Sequence, residues 1–211
     1  MSITRAVLYT RVKTRIRQDL ATPAVNDLDD ASIVTWAQEK CAQVIALLRD
    51  PVHFPTLLVS NVSVTFATES SDRTAAFPTT YTYERTHALR VTGASASGRK
   101  ARLIFNADDF RRYDSSNFIL TPTEARPIAY IADKLRVLPI TLTSGKLDYV
   151  RAHPAITGAA GTLFDELGDE ILVLFVVAEY YRSGPQRHDL AEGAISEAIG
   201  LTNVNNPAKS T

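Results

Sequence analysis

Eight consecutive residues, Ile171-Leu172-Val173-Leu174-Phe175-Val176-Val177-Ala178, constrain the fold of this chain more than any others. Placed on a helix, they present apolar side chains on every side, so the helix must be enclosed all round. Burying them contributes roughly 10–20 kcal/mol gross, at about 1.5–3 kcal/mol for each large side chain. The run is far short of the ~20 residues that cross a bilayer. It therefore predicts the hub of a helical bundle, enclosed either within one chain or between subunits. Acids precede it (Asp165, Glu166, Asp169, Glu170) and Arg182 follows, the polarity that suits a helix dipole. Gly184-Pro185 then ends the helix.

Partners for this hub are found at both ends of the chain. Leu8, Val12, Ile16 and Leu20 recur every four residues, with Ile3 and Val7 beside them, which predicts a first helix up to Thr22-Pro23. A second helix starts at Asp29 or Asp30 and carries Ile33, Trp36, Ala37, Val44, Leu47 and Leu48 to a stop at Asp50-Pro51. After the apolar run, Leu190, Ala194, Ile195 and Ala198 mark one face of a last helix from about Gln186 to Ile199.

The middle of the chain changes period. Val62, Val64 and Phe66 alternate with Asn61, Ser63 and Thr65, the repeat of a half-buried strand. Similar segments occur at Ala88–Thr92, Ala101–Phe105, Arg126–Ile131, Lys134–Pro139 and Lys146–Arg151, and a turn at Asp133 makes Ile128–Ile131 and Leu135–Leu138 a hairpin. Glu69–Arg73 and Gly93–Gly98 read as surface turns. The expected fold class is α+β: a helical bundle from both chain ends with a central antiparallel β subdomain. The expected boundaries are a single domain over 1–200 (helices 3–49, β subdomain 57–152, helices 163–199) and an extended tail over 201–211.

The 23 basic and 23 acidic residues cancel, which is unlike a free nucleic-acid binder with its basic excess. Arginine outnumbers lysine 17 to 6, a preference that suits protein contacts. Cys41 is the one cysteine, so no disulfide forms within the chain and a packed thiol is expected. The N-terminal sequence has no apolar signal-peptide core. His53, His87, His153 and His188 are scattered, without metal-ligand spacing, and surface or loop roles are expected. Asp108, Asp109 and Asp114 read as loop acids beside Arg111 and Arg112, and Glu166, Asp169 and Glu170 as helix-end acids. No phosphate loop, nucleophile elbow or CxxC pair is present. The expectation is no catalytic residue, no metal and no cofactor. One charge asymmetry remains: Arg5, Arg11, Lys13, Arg15 and Arg17 precede the first acid of the chain. They are either a solvated face or a contact for an acidic partner or a nucleic-acid backbone.

The order of elements carries a resemblance. A helix, a capped helix with Val34-Thr35-Trp36-Ala37, a β insertion ending in Leu135–Pro139 and Lys146–His153, then Phe164-Asp165-Glu166-Leu167 opening a long helix, is similar to the head-to-tail adaptor (connector) proteins of tailed bacteriophages. Glu179-Tyr180-Tyr181 and Arg187-His188-Asp189-Leu190-Ala191 resemble that family's break and next helix, and the likeness covers about residues 1–200. His153 before Pro154 and the small-residue connector Ala155–Gly161 depart from the pattern. The resemblance implies a virion protein assembled in the host cytoplasm as a dodecameric ring beneath the portal. It would dock on the portal protein and on tail or nozzle proteins, around a channel for double-stranded DNA. The polar tail, with Asn203, Asn205, Asn206 and Lys209, would dock on a partner. The competing readings are another minor virion or tail-completion protein, and a glycan hydrolase using Asp109 with Asp114.

Overall fold

The structure, a computed structural model, describes residues 3–19, 28–48, 50–69, 72–78, 85–94, 98–114, 121–157, 161–184 and 187–205. The fold is α+β. The chain forms two compact units, one from Met1–Leu57 with Ala152–Thr211, the other from Leu58–Arg151. These are the helical ends and the β insertion respectively.

Helix α1 spans Arg5–Asp19, and Leu8, Val12 and Ile16 are fully buried on its inner stripe. Val7, expected beside that stripe, is instead exposed. It lies one position from Leu8, a rotation of about 100° that turns it outward. Leu20 and Thr22-Pro23 fall outside the described residues. Helix α2 spans Asp30–Leu47 and is capped by Asp29, whose carboxylate accepts from the Ala31 N–H at 2.9 Å. Its buried face is Ile33, Ala37, Cys41, Val44 and Ile45, followed by Leu48, while Trp36 and Leu47 are half-buried.

Among the described residues, the β unit holds nine strands: β1 (Leu58–Thr65), β2 (Ala67–Glu69), β3 (Asp72–Ala75), β4 (Arg85–Thr92), β5 (Arg99–Lys100), β6 (Arg102–Ile104), β7 (Ile128–Ile131), β8 (Leu135–Leu138) and β9 (Ser144–Val150). Helix α3 (Ala107–Asp114) lies between β6 and β7 in the chain. The strands pair as two sheets, β1-β9-β4-β5 and β2-β3-β8-β7-β6. Only Phe66 separates β1 from β2, and only Ala101 separates β5 from β6. Each of these pairs is one bent strand passing from sheet to sheet, so the ladder runs round a small barrel. Phe66 N–H donates to the Thr143 carbonyl at 2.9 Å and Ala101 N–H to Leu89 at 2.8 Å, keeping the bends bonded. Side chains from both sheets fill one interior, including Phe66, Leu89, Ala101, Leu135, Val137, Leu147 and Tyr149.

The hairpin expected around Asp133 is present, with Ile128 opposite Leu138 and Ile131 opposite Leu135. Within Glu69–Arg73, expected as a turn, Glu69 pairs with Asp72 across the antiparallel β2–β3 ladder, and Ser70 and Ser71 fall outside the described residues. The described strand pairs are antiparallel as expected with one exception: β6 and β7 are parallel, which the intervening α3 makes possible.

At Asn61, β1 carries an irregularity, with φ at 61° and a register shift between Val59 and Val62. Asp148, buried on β9, holds it: Oδ1 accepts from Asn61 N–H at 2.7 Å and Oδ2 from Arg90 at 3.0 Å. Asp148→Ala leaves the part-buried Asn61 N–H without its acceptor and Arg90 without its carboxylate partner, and should cost about 1–3 kcal/mol, read from the urea midpoint. A change below about 0.3 kcal/mol would show that the network contributes nothing.

The chain returns through α4 (Glu166–Ser183) and α5 (His188–Asn205). Helices α1, α2 and α5 pack on α4. Ile171, Leu172, Val173, Leu174, Val176, Val177 and Ala178 are buried, and Phe175 is half-buried. The apolar helix is thus enclosed within one chain. Asp165 caps it, accepting from Gly168 N–H at 2.9 Å, and the second Asp165 oxygen meets His53 Nδ1 at 2.7 Å. Helix α5 extends past the expected stop at Ile199 to Asn205, so Leu201–Asn205 of the expected extended tail is helix. The buried Thr202, whose hydroxyl donates to the Ile199 carbonyl at 2.7 Å, anchors the extra turn.

Candidate functional site

Two charged surfaces stand out, one on each unit. The first is the set of cations on α1. They are half-buried or exposed, and most are engaged within the helical unit. Lys13 pairs with Asp30 at 2.7 Å, Arg15 with Glu197 at 2.5 Å and Arg11 with Glu170 at 3.9 Å. Arg5 bonds to the Tyr9 hydroxyl, its guanidinium 5.3 Å from the ring centre. Arg17 is exposed. Three cations on one helix therefore reach acids on α2, α5 and α4 in turn. These partners lie 17, 182 and 159 residues away in sequence, so only the fold reveals them. Such exposed pairs each contribute about 0–1 kcal/mol, and their acids neutralise much of the basic face.

The second surface is on the β unit, and the sequence reading missed the helix that builds it. Residues 107–114, expected as a loop, form α3. Asn106 starts it, its side-chain oxygen accepting from Asp108 N–H at 2.9 Å. Asp108 and Asp109 occupy the first turn and Arg111 and Arg112 the last, paired i to i+3 at 3.6 Å in both cases. The expected pairing of these acids with neighbouring arginines is therefore present, on a helix. The inner face of α3 packs Phe110 and Tyr113 against Ile104, Ile128, Leu138 and Tyr130, with Phe110 stacked on Tyr130 at 5.3 Å. Between α3 and β6 runs an open groove of about 600 Å³, lined by residues including Arg102, Phe105, Asp109, Arg112 and Tyr113. Phe105 is 58% exposed, the Arg102 guanidinium donates to the Tyr113 hydroxyl at 3.0 Å, and Arg99 and Lys100 are exposed just upstream.

The remaining candidates sort by surroundings. Asp108 and Asp109 are solvent-exposed in their ion pairs, and the side chain of Asp114 lies outside the described residues. Cys41 is buried, its thiol 3.2 Å from the Ala37 carbonyl. His153 is a buried loop residue rather than a surface one: Nε2 accepts from Leu163 N–H at 2.9 Å, and Nδ1 lies 2.7 Å from the Pro154 carbonyl. These contacts fix a neutral tautomer protonated at Nδ1. Asp169 departs most from its expected role. It is fully buried, accepting from Ile3 N–H at 3.3 Å and from the Thr162 hydroxyl. Burial pushes its carboxyl up to about 6, against the lowering pull of those two donors and of Arg11.

Among the described residues, no group of three or more His, Cys, Asp or Glu is placed to hold a metal ion, and no helix is long and apolar enough to cross a membrane. Of the expected docking tail, Asn203 is exposed on α5 and Asn205 ends that helix, while Asn206 and Lys209 lie outside the described residues. No protein-family model and no curated protein matches the chain.

Proposed function

We propose that this chain is a structural connector of a tailed-bacteriophage particle, acting without catalysis. Copies would form a dodecameric ring below the portal, extend the DNA channel without reading sequence, and offer a platform to tail proteins. The observation that carries the reading is the architecture: helices from both chain ends enclose one apolar helix, and a β unit is inserted between them in sequence. A protomer with its own closed core keeps its outer surfaces for partners, as a subunit added to an existing ring requires. The reading needs no cofactor, and it places the protein in the virion after assembly in the host cytoplasm.

The test is the mass of the purified protein, alone and mixed with a portal complex, by light scattering. A ring-sized species, alone or on the portal, is the expected result. A monomer indifferent to the portal overturns the reading. Within α1, Arg17 is the cation to change, because Arg15 is committed to Glu197. Arg17→Glu should leave folding stability within about 0.5 kcal/mol yet weaken assembly. A stable variant that assembles normally removes α1 as a partner surface.

A further inference from the structure

The zero net charge conceals a partition between the units. The β unit carries 13 Lys and Arg against 9 Asp and Glu, and the helical unit carries 10 against 14. The excess is +4 on one and −4 on the other. Surfaces of opposite sign on one molecule attract a second copy in a head-to-tail sense, whereas like units repel.

Each unit also exposes an apolar residue on the same face as a charged side chain. On the β unit, Lys100 and Arg102 flank the inward-pointing Ala101 and so project outward together, beside the groove that Phe105 edges. On the helical unit, Glu192, Ser196, Ile199 and Asn203 are all exposed and fall within about 60° of one another around α5. Ile199 is 44% exposed. Such a ridge, an isoleucine with an acid two turns before it, has the pattern of an amphipathic helix laid into a groove.

We propose that the groove between α3 and β6 receives the outer face of α5 from a second copy of this chain. Ile199 packs on Phe105 and Tyr113, and Glu192 meets Lys100 and Arg102. The two faces differ, so the contact is heterologous, and a heterologous contact that closes gives a ring. The inference rests on the ring reading above and names its subunit contact.

The experiment is sedimentation velocity over a concentration series at low and high salt. It compares the full chain with the Lys100→Glu/Arg102→Glu, Glu192→Lys and Phe105→Ser variants, each checked for folding by its thermal melt. The wild type should self-associate, less so at high salt, and each variant should weaken association about tenfold or more. The decisive result is complementation. An equimolar mixture of Lys100→Glu/Arg102→Glu with Glu192→Lys should associate where neither does alone, because each now carries the other's complement. A wild type monomeric throughout, or variants that associate like it, overturns the inference. So does loss of duplex-DNA binding in Lys100→Glu/Arg102→Glu with self-association unchanged, which would make the groove a polyanion site. Rings formed equally well by the variants sink this contact and leave the connector reading standing. Complementation without portal binding does the reverse.

Discussion

Gly161→Ala should unfasten the N-terminal segment from the helical unit and cost about 3–5 kcal/mol, from overpacking together with lost buried hydrogen bonds. A Cβ on residue 161 would fall 1.7 Å from the Ile3 carbonyl oxygen and 2.9 Å from the Thr4 Cα. Both are backbone atoms, so no rotamer change relieves the clash. The same carbonyl accepts from Thr162 N–H at 3.1 Å, and Ile3 N–H donates to Asp169. Moving Ile3 aside breaks both bonds, and Ile3 is itself part of the buried apolar set. Urea denaturation gives the loss, and amide exchange over the start of α1 shows whether opening begins there. A variant within 1 kcal/mol of wild type, with unchanged exchange at Leu8, would mean that the segment is not fastened at this point.

Gly161 illustrates why the sequence is legible in some places and silent in others. Its neighbourhood reads only as a small-residue connector, and its contact is with a residue 158 positions earlier. What could be read was local. All-round hydrophobicity marks Ile171–Ala178 as an enclosed helix, and the polar turn at Asp133 between two apolar segments marks the Ile128–Leu138 hairpin, because each signal lies within a short stretch of chain. Closure of the barrel was hidden: it depends on strands bending at Phe66 and Ala101, and nothing local distinguishes a bend from a strand end. Helix α3 was hidden because it is eight residues long and mostly charged. The surface that stabilises its Phe110 and Tyr113 is supplied by Ile104, Ile128 and Leu138. The cations of α1 were visible, but not the acids that meet them. A site made of groove and helix surface has no compact motif, so it emerges only once the fold places Phe105 and Ile199 in solvent.

Asp169 should make the protein more stable in mild acid than at neutral pH, in contrast to the usual effect of a carboxylate. Its carboxyl lies at about 6 in the folded chain against 3.8 for an ordinary Asp, because burial penalises the charged form more than its hydrogen bonds favour it. Between those values the folded state binds the extra proton, so its stability falls as pH rises. The contribution is fully present below about 3.8 and is lost as pH passes through about 6. The shift corresponds to about 3 kcal/mol. Other carboxylates titrate in the same range, so the readout is the difference between wild type and Asp169→Asn. An asparagine keeps the local bonds: its oxygen accepts from Ile3 N–H, and its amide donates to the Thr162 hydroxyl oxygen. The variant lacks the titrating group, so the wild type should gain about 2.5 kcal/mol relative to it between pH 7.5 and pH 4. Asp169→Ala, which leaves two buried donors without an acceptor, should instead lose about 2–5 kcal/mol even at pH 4. If the wild type and Asp169→Asn stability curves run parallel across that range, Asp169 does not titrate there, and the N-terminal fastening is held by an ordinary ionised carboxylate.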